Sequence, residues 1–273
     1  MTAPRAFILG HPVAHSRSPM LHGHWLRSHG VPGSYELADV PPEGLAAFFA
    51  RFRGEGFVGG NVTVPHKVAA MRFVDRLDPT AEAVGAVNTI WAEGAELAGS
   101  NTDVAGFLAH LDASAPGWDR AGEALVLGAG GAARAAVYAL RQRGLAIHIV
   151  NRTLATAEAL AARFAAEAHP WSELPRLLGR AGLLVNTTAL GMKGQPPLTI
   201  DVALLPAGAV VYDIVYVPLE TPLLTAARTR NLRTVDGLGM LLHQAVPGFS
   251  RWFGLTPTVT PELRALIEAD LAK

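Results

Sequence analysis

The sequence has no cysteine. That excludes a disulfide framework, a thiolate metal site and a cysteine nucleophile. Charge is scarce: 17% of residues are charged and the formal net charge is zero. A balanced chain of this kind offers no electrostatic case for a nucleic-acid partner. Long apolar runs are missing as well. The first one, AFILG, ends at Gly10 and His11, too short for a signal peptide or a membrane span. A cytoplasmic protein with no membrane partner is therefore expected. Repeats of 20–50 residues and low-complexity segments are also absent. What the chain does have is apolar content, half of its 273 residues. This is enough to bury a substantial core in one large or two ordinary domains.

Short apolar runs alternate with alanine- and leucine-rich helical stretches, the pattern of βαβ units around a parallel sheet. In the first half, strands are expected at 6–10, 34–38 and 57–64, and helices at 18–30 and 42–52. A further helix is expected behind Pro65, opening with His66 and Lys67. Residues 86–103 read as two strands around an Ala-Glu-Gly turn, with a new helix from about Asp103. The loop-rich stretch 112–123 is a break, after which the rhythm restarts. Strands are expected at 124–128, 146–150, 183–187, 210–214 and 232–235, with helices at about 131–143, 154–168 and from 239 onward. The fold class is α/β in two domains. The first is 1–106, completed by 239–273, and the second is 107–238.

LVLGAGGAARAAVYALRQRG (125–144) is a strand, a glycine turn and a helix. Gly128, Gly130 and Ala133 match the dinucleotide-binding spacing, in which the first glycine turns the chain and the second admits a pyrophosphate. The helix N-terminus then offers unpaired N–H groups to phosphate. NAD-selective proteins carry an acid at the end of the next strand. Here Asn151, Arg152 and Thr153 follow instead, and a guanidinium there favours NADP. The plainer role for Arg152 is that of a solvated surface residue.

Polar residues collect where first-half strands end: Ser16, Ser18, Asn61, Thr63, Lys67, Asn88, Asn101 and Asp103. Ligands sit at such carboxyl ends in open α/β sheets. Hydroxyls, amides, one lysine and one acid suit a small polyhydroxylated anion. The serines could instead cap a helix, Asp103 could be a first-turn acid, and the asparagines could be turn residues. Lys67, placed in a helix's first turn, conflicts with the helix dipole. Dipole and burial together would lower its pKa toward the range useful for acid–base chemistry. His22 and His24 are two apart on a helix and point apart, so they are not a metal pair. With no cysteine and no H-E-x-x-H, no metal is expected.

HSRSP (15–19), NVTVPHK (61–67), GAVNT (85–89), SNTD (100–103), GAGGAARA (128–135), NRT (151–153), DIVYVPLETPLL (213–224) and DGLGMLLHQA (236–245) together resemble the shikimate dehydrogenase family. The motifs run through the whole chain in the family's order. The resemblance implies NADPH-dependent reduction of 3-dehydroshikimate to shikimate in aromatic amino-acid biosynthesis. It also implies a substrate domain followed by a Rossmann-type NADP domain, with C-terminal helices returning to the first. Lys67 and Asp103 would be catalytic. Ser16, Ser18, Asn61, Thr63, Asn88, Tyr216 and Gln244 would bind substrate. Gly128, Ala129, Gly130, Gly131, Ala132, Asn151, Arg152, Thr153, Ile214 and Gly237 would bind cofactor. The partners are then the small-molecule substrate and NADP, for a monomer or homodimer. Two departures stand out: Thr156 replaces a second basic residue in the phosphate clamp, and NTTALGM (186–192) has an unusual middle. A quinate or dual quinate/shikimate dehydrogenase, and a non-catalytic NADP-binding regulator, are the alternatives.

Overall fold

A computed structural model describes residues 3–52 and 54–273. The chain divides into two compact units: Met1–Asp103 with Leu242–Ala272, and Val104–Leu241 with the terminal Lys273.

The first unit contains β1 (Arg5–Gly10), α1 (Ser18–Ser28), β2 (Ser34–Asp39), α2 (Leu45–Arg51), β3 (Phe57–Val62), β4 (Arg76–Leu77), α3 (Pro79–Val84), β5 (Thr89–Glu93) and β6 (Glu96–Ser100). Its sheet runs β2-β1-β3-β5-β6-β4. The first three strands are parallel, β5 and β6 form an antiparallel hairpin, and β4 lies parallel to β6. β1 is central, and its alternate side chains enter opposite cores. Phe7 and Leu9 join Phe48, Phe52, Val62 and Ile90; Ala6 and Ile8 join Tyr35, Trp91 and Trp252. This is the period-two pattern of a strand buried on both faces. Gly60 on β3 has a packing reason: a Cβ there would lie 2.4 Å from the Phe7 ring.

Helix α4 (Asp103–Ser114) begins at the boundary between the units. The second unit continues with β7 (Glu123–Leu127), α5 (Gly131–Gln142), β8 (Ala146–Val150), α6 (Leu154–Phe164), β9 (Glu167–His169), α7 (Leu174–Leu178), β10 (Leu183–Asn186), β11 (Val210–Asp213), α8 (Pro222–Thr229) and β12 (Arg233–Val235). The sheet order is β12-β11-β10-β7-β8-β9, parallel throughout. Counted from β7, that is 3-2-1-4-5-6, the doubly wound dinucleotide-binding order. Its ligand crevice lies at the carboxyl ends of the strands where the order reverses, here between β7 and β10. The four inner strands β7, β8, β10 and β11 are mainly apolar without alternation, as burial on both faces demands. Helix α9 (Leu238–Phe253) runs across the other boundary, and α10 (Pro261–Leu271) follows. Trp252 of α9 donates its indole N–H to the Ile90 carbonyl at 2.8 Å, docking the C-terminal segment on the first unit's sheet. The expected domain limits at 106 and 239 fall inside α4 and α9, the same two helices.

Three expectations are corrected. No α-helix starts behind Pro65; Lys67 lies in a turn, followed by a 3-10 helix over Ala69–Phe73. The helix from Leu154 stops at Phe164, where Ala165 takes a left-handed conformation at φ 51°, and Glu167–His169 form the strand β9. Alanine gives no sign of that stop, because glycine normally marks it. The hairpin turn is Gly94-Ala95, with Glu93 opposite Glu96. Arg76 forms ion pairs with both of these like charges.

Candidate active site

In the first unit, buried polar side chains form one connected network. Lys67 Nζ donates to Asp103 Oδ2 at 2.5 Å, and Asn88 Nδ2 donates to Asp103 Oδ1 at 2.8 Å. The same Asn88 amide also reaches Gln244 Oε1 at 3.4 Å. Asn88 Oδ1 accepts from the Thr102 backbone N–H at 2.7 Å and from the Thr89 hydroxyl at 3.0 Å. Asn61 Nδ2 donates to the Asn88 carbonyl at 3.1 Å and to Thr89 Oγ1 at 3.0 Å, while its Oδ1 accepts from the Tyr35 hydroxyl at 2.7 Å. Burial pushes the Tyr35 phenol well above its ordinary range, so it serves as a neutral donor.

Backbone bonds fix the frame. The Val62 N–H donates to the Asn88 carbonyl, the Val87 N–H to the Lys67 carbonyl, and the Asn88 N–H to the Ser100 carbonyl. The carboxyl ends of β3 and β6 are thereby tied to the segment entering β5. Lys67 and Asp103 keep only 22% and 10% of their side-chain surface, so their attraction is screened less than that of a surface pair. The charge on Lys67 is answered by a carboxylate, where a conflict with a helix dipole had been expected. An ammonium fixed by a doubly bonded carboxylate can donate a proton, and the carboxylate can accept from a ligand hydroxyl.

Neither serine fills the N-cap of α1. That position is Arg17, without a side-chain cap, and Ser16 Oγ only accepts the Ser18 N–H at 3.3 Å. Ser18 is buried beside Tyr35. Ser16 and Thr63 are half-buried in the segments that follow β1 and β3. Asp103 is indeed the first residue of α4, yet both of its oxygens are also occupied by side chains.

In the second unit, Gly128 turns the chain at φ 103° directly after β7. A Cβ there would lie 2.7 Å from Thr187 Oγ1. Gly130 and Gly131 are different: nothing lies within 4 Å of the Cβ that each lacks. Protein packing therefore gives no reason for these two glycines, whereas a pyrophosphate at the N-terminus of α5 would. Ala129 and Ala132 complete the turn and the first residues of the helix. A cavity of about 710 Å³ is lined by Asn151, Arg152, Trp171, Thr188, Ala189, Leu190 and Gln195. Arg152 is exposed and has no hydrogen bond or ion pair among the described residues. Its neighbour Thr153 is the N-cap of α6. Gly237 packs on the chain at Ile214, where a Cβ would meet the Ile214 carbonyl oxygen at 2.1 Å. Tyr216 is half-buried in the segment after β11.

Sequence reasoning missed the supports. Asn186, noted only within the stretch NTTALGM, is fully buried. It accepts from the Thr188 hydroxyl at 2.7 Å and donates to Asp213 at 2.9 Å, while Asp213 accepts from Thr221 at 2.7 Å. Burial raises the Asp213 pKa, and these donors oppose the shift. The network anchors the loops after β10 and β11. Tyr35, Thr89, Trp171 and Gln195 were likewise not singled out.

A doubly wound sheet with a glycine turn, joined to a unit carrying a partly buried lysine–aspartate pair, defines a two-domain nucleotide-dependent dehydrogenase. Residues 8–90 match the shikimate dehydrogenase substrate binding domain, and residues 117–192 match shikimate / quinate 5-dehydrogenase. A shikimate dehydrogenase (NADP(+)) of Nitrobacter hamburgensis is 60% identical over 269 residues, spanning 97% of this chain and 94% of that one. Among solved structures, the shikimate 5-dehydrogenase of Thermus thermophilus, in complex with NADP(H) and shikimate, is 39% identical with a TM-score of 0.87, and 98% of each chain is covered. A quinate dehydrogenase from Corynebacterium glutamicum in complex with NAD is 29% identical with a TM-score of 0.87, over the full length of both chains. The chain belongs to the shikimate dehydrogenase family. No helix among the described residues is long and apolar enough to cross a membrane.

Proposed function

We propose that this protein catalyses the reversible NADP-dependent interconversion of 3-dehydroshikimate and shikimate. The observation that carries the proposal is the Lys67–Asp103 pair, held by Asn88 in a chain of this family. NADPH, when bound, supplies the hydride that reaches the ketone carbon. It would be held by Gly128, Ala129, Gly130, Gly131 and Ala132 at its pyrophosphate, and by Asn151, Arg152 and Thr153 at its adenosine phosphate. Ile214 and Gly237 would lie near the nicotinamide.

Lys67 supplies the proton. As negative charge develops on the ketone oxygen, its ammonium donates from Nζ and stabilises that charge. In the oxidative direction the neutral amine takes the same proton from the hydroxyl. Asp103 orients the ammonium through Oδ2, and Asn88 holds the carboxylate through Oδ1. Ser16 and Ser18 donate hydroxyl bonds to the substrate carboxylate. Asn61, Thr63, Asn88 and Gln244 meet the ring hydroxyls, with Tyr216 as a further substrate contact. The first unit thus acts as the substrate domain and the second as the NADP domain. A cytoplasmic location, as a monomer or homodimer, belongs to the same proposal.

The test is nicotinamide absorbance during oxidation of shikimate with NADP, repeated with quinate and with NAD. Turnover with shikimate and NADP well above the other three combinations is expected. Thr156, exposed and uncharged, leaves Arg152 as the main cation in the phosphate clamp, which favours some NAD use as a second reading. Faster turnover of quinate with NAD would replace the proposal by that reading. No turnover with any pair would leave the non-catalytic binder.

A further inference from the structure

The parallel pairing of β8 with β9 brings together two histidines and a glutamate that lie apart in sequence. His148 stands opposite Glu167, and Val150 opposite His169. His148 Nδ1 lies 3.0 Å from His169 Nε2, and each of these nitrogens lies 3.5 Å from Glu167 Oε2. The far nitrogen of each ring faces another carboxylate: His148 Nε2 is 3.5 Å from Glu123 and His169 Nδ1 is 3.4 Å from Glu173.

Those outer carboxylates favour tautomers that turn the lone pairs inward. An imidazole that directs its N–H at Glu123 or Glu173 presents a lone pair from its other nitrogen. Two lone pairs and a carboxylate oxygen then converge on one point, and three acceptors cannot satisfy one another. A cation at that point would satisfy all three. A tetrahedral zinc site with bonds of about 2.0–2.1 Å has ligand–ligand edges of about 3.3–3.4 Å. The observed triangle of 3.0, 3.5 and 3.5 Å fits such edges. Histidine ligands whose second nitrogen meets a carboxylate are also the usual outer arrangement of zinc sites. Glu123 and Glu173 carry arginine partners, Arg180 and Arg176, whereas Glu167 has only the two imidazoles within ion-pair distance among the described residues.

We propose that His148, His169 and Glu167 form a binding site for a divalent transition-metal ion of the zinc class, with solvent in the fourth position. Glu167 is largely exposed, so the ion has an entry path. Bound there, it ties the edge strand β9 to β8. Trp171, which walls the cavity beside Arg152, follows β9 by two residues, so the tie bears on that wall.

The test uses untagged full-length protein stripped by a chelator, titrated with zinc sulfate against a chromophoric indicator. One zinc per chain is expected, with a rise in melting temperature. His169→Gln and Glu167→Gln should each weaken binding by about a hundredfold or more. Glu173→Gln, an outer partner, should cost about 10–100-fold. His169→Gln should keep its far-ultraviolet circular dichroism and its rate of shikimate oxidation. Glu167→Gln, at an exposed position, serves if the histidine variant folds poorly. Absence of saturable binding by the wild-type protein, or zinc affinity unchanged in both ligand variants, overturns the proposal.

Discussion

Lys67 and Asp103, 36 residues apart in sequence, meet at 2.5 Å in a network that also engages Asn88, Thr89, Asn61 and Tyr35. Their geometry divides the labour. In the proposed mechanism lysine carries the exchangeable proton, and aspartate, whose other oxygen is occupied by Asn88, sets its direction. Lys67→Ala should therefore lower kcat by roughly 10²–10⁴, the range for positioned acid–base catalysis, with a smaller change in KM. Arginine in its place keeps the charge but cannot exchange a proton near neutrality. Steady-state kinetics with shikimate and NADP check this. Turnover within about threefold of wild type would remove Lys67 from the role of acid.

Arg152 should read the adenosine 2′-phosphate. A charge-assisted contact of this kind contributes about 1.5–3 kcal/mol, tenfold or more in affinity. Arg152→Ala should weaken NADP by that factor and leave NAD nearly unchanged, as measured by fluorescence titration of both. Equal losses would show that the residue supports the fold.

Two glycines separate packing from cofactor binding. Gly130→Ala places its methyl group in open space at φ −84°, so folding should lose no more than about 1 kcal/mol, the scale of an N-cap change. NADP affinity should nevertheless fall at least about tenfold, because the backbone must approach the pyrophosphate closely there. Gly60→Ala should do the reverse. Its methyl group would lie 2.4 Å from the Phe7 ring and 2.5 Å from the Phe7 carbonyl, an overpacking cost of about 1–3 kcal/mol. Denaturant midpoints and NADP titrations on both variants decide the matter. A Gly130→Ala protein that binds NADP normally would contradict the assigned role.

These contrasts show what the sequence could disclose. The glycine turn was legible because its strand, spacing and helix are contiguous, and the second sheet's parallel order agrees with it. Lys67 was noticed for a wrong reason. An α-helix was expected behind Pro65, but the chain there forms a turn and a 3-10 helix, so no dipole argument applies. What orients Lys67 is a carboxylate brought in by the β5–β6 hairpin, and no local pattern encodes that. The supports Tyr35, Thr89 and Asn186 have ordinary local settings and gain meaning only through cross-strand contacts. The His148–Glu167–His169 cluster escaped a search for metal motifs along the chain, because it depends on the β8–β9 register and on Ala165 ending a helix early.

His22 supplies the last prediction, on acid stability. It is fully buried on α1, stacked against Tyr35 with ring centroids 4.0 Å apart and nearly parallel to Phe249 at 5.9 Å. Burial lowers its pKa from 6.5 to about 3. The unfolded chain therefore takes up a proton near pH 6.5 that the folded chain refuses until about pH 3. Stability from this group is fully present above pH 6.5 and is lost as the pH falls toward 3. The slope is at most about 1.4 kcal/mol per pH unit, or about 2 kcal/mol between pH 6.5 and 5, before most carboxylates protonate. His22→Phe keeps an aromatic ring in the stack and removes the titration. Its stability should decline about 2 kcal/mol less than that of wild type over the same interval. His148 and His243, whose pKa values burial also lowers, remain in both proteins and cancel in the comparison. Urea unfolding of wild type and variant near pH 7, 6 and 5 measures the difference. Parallel curves would mean that His22 does not resist protonation in the folded protein, and the acid sensitivity would have to come from other groups.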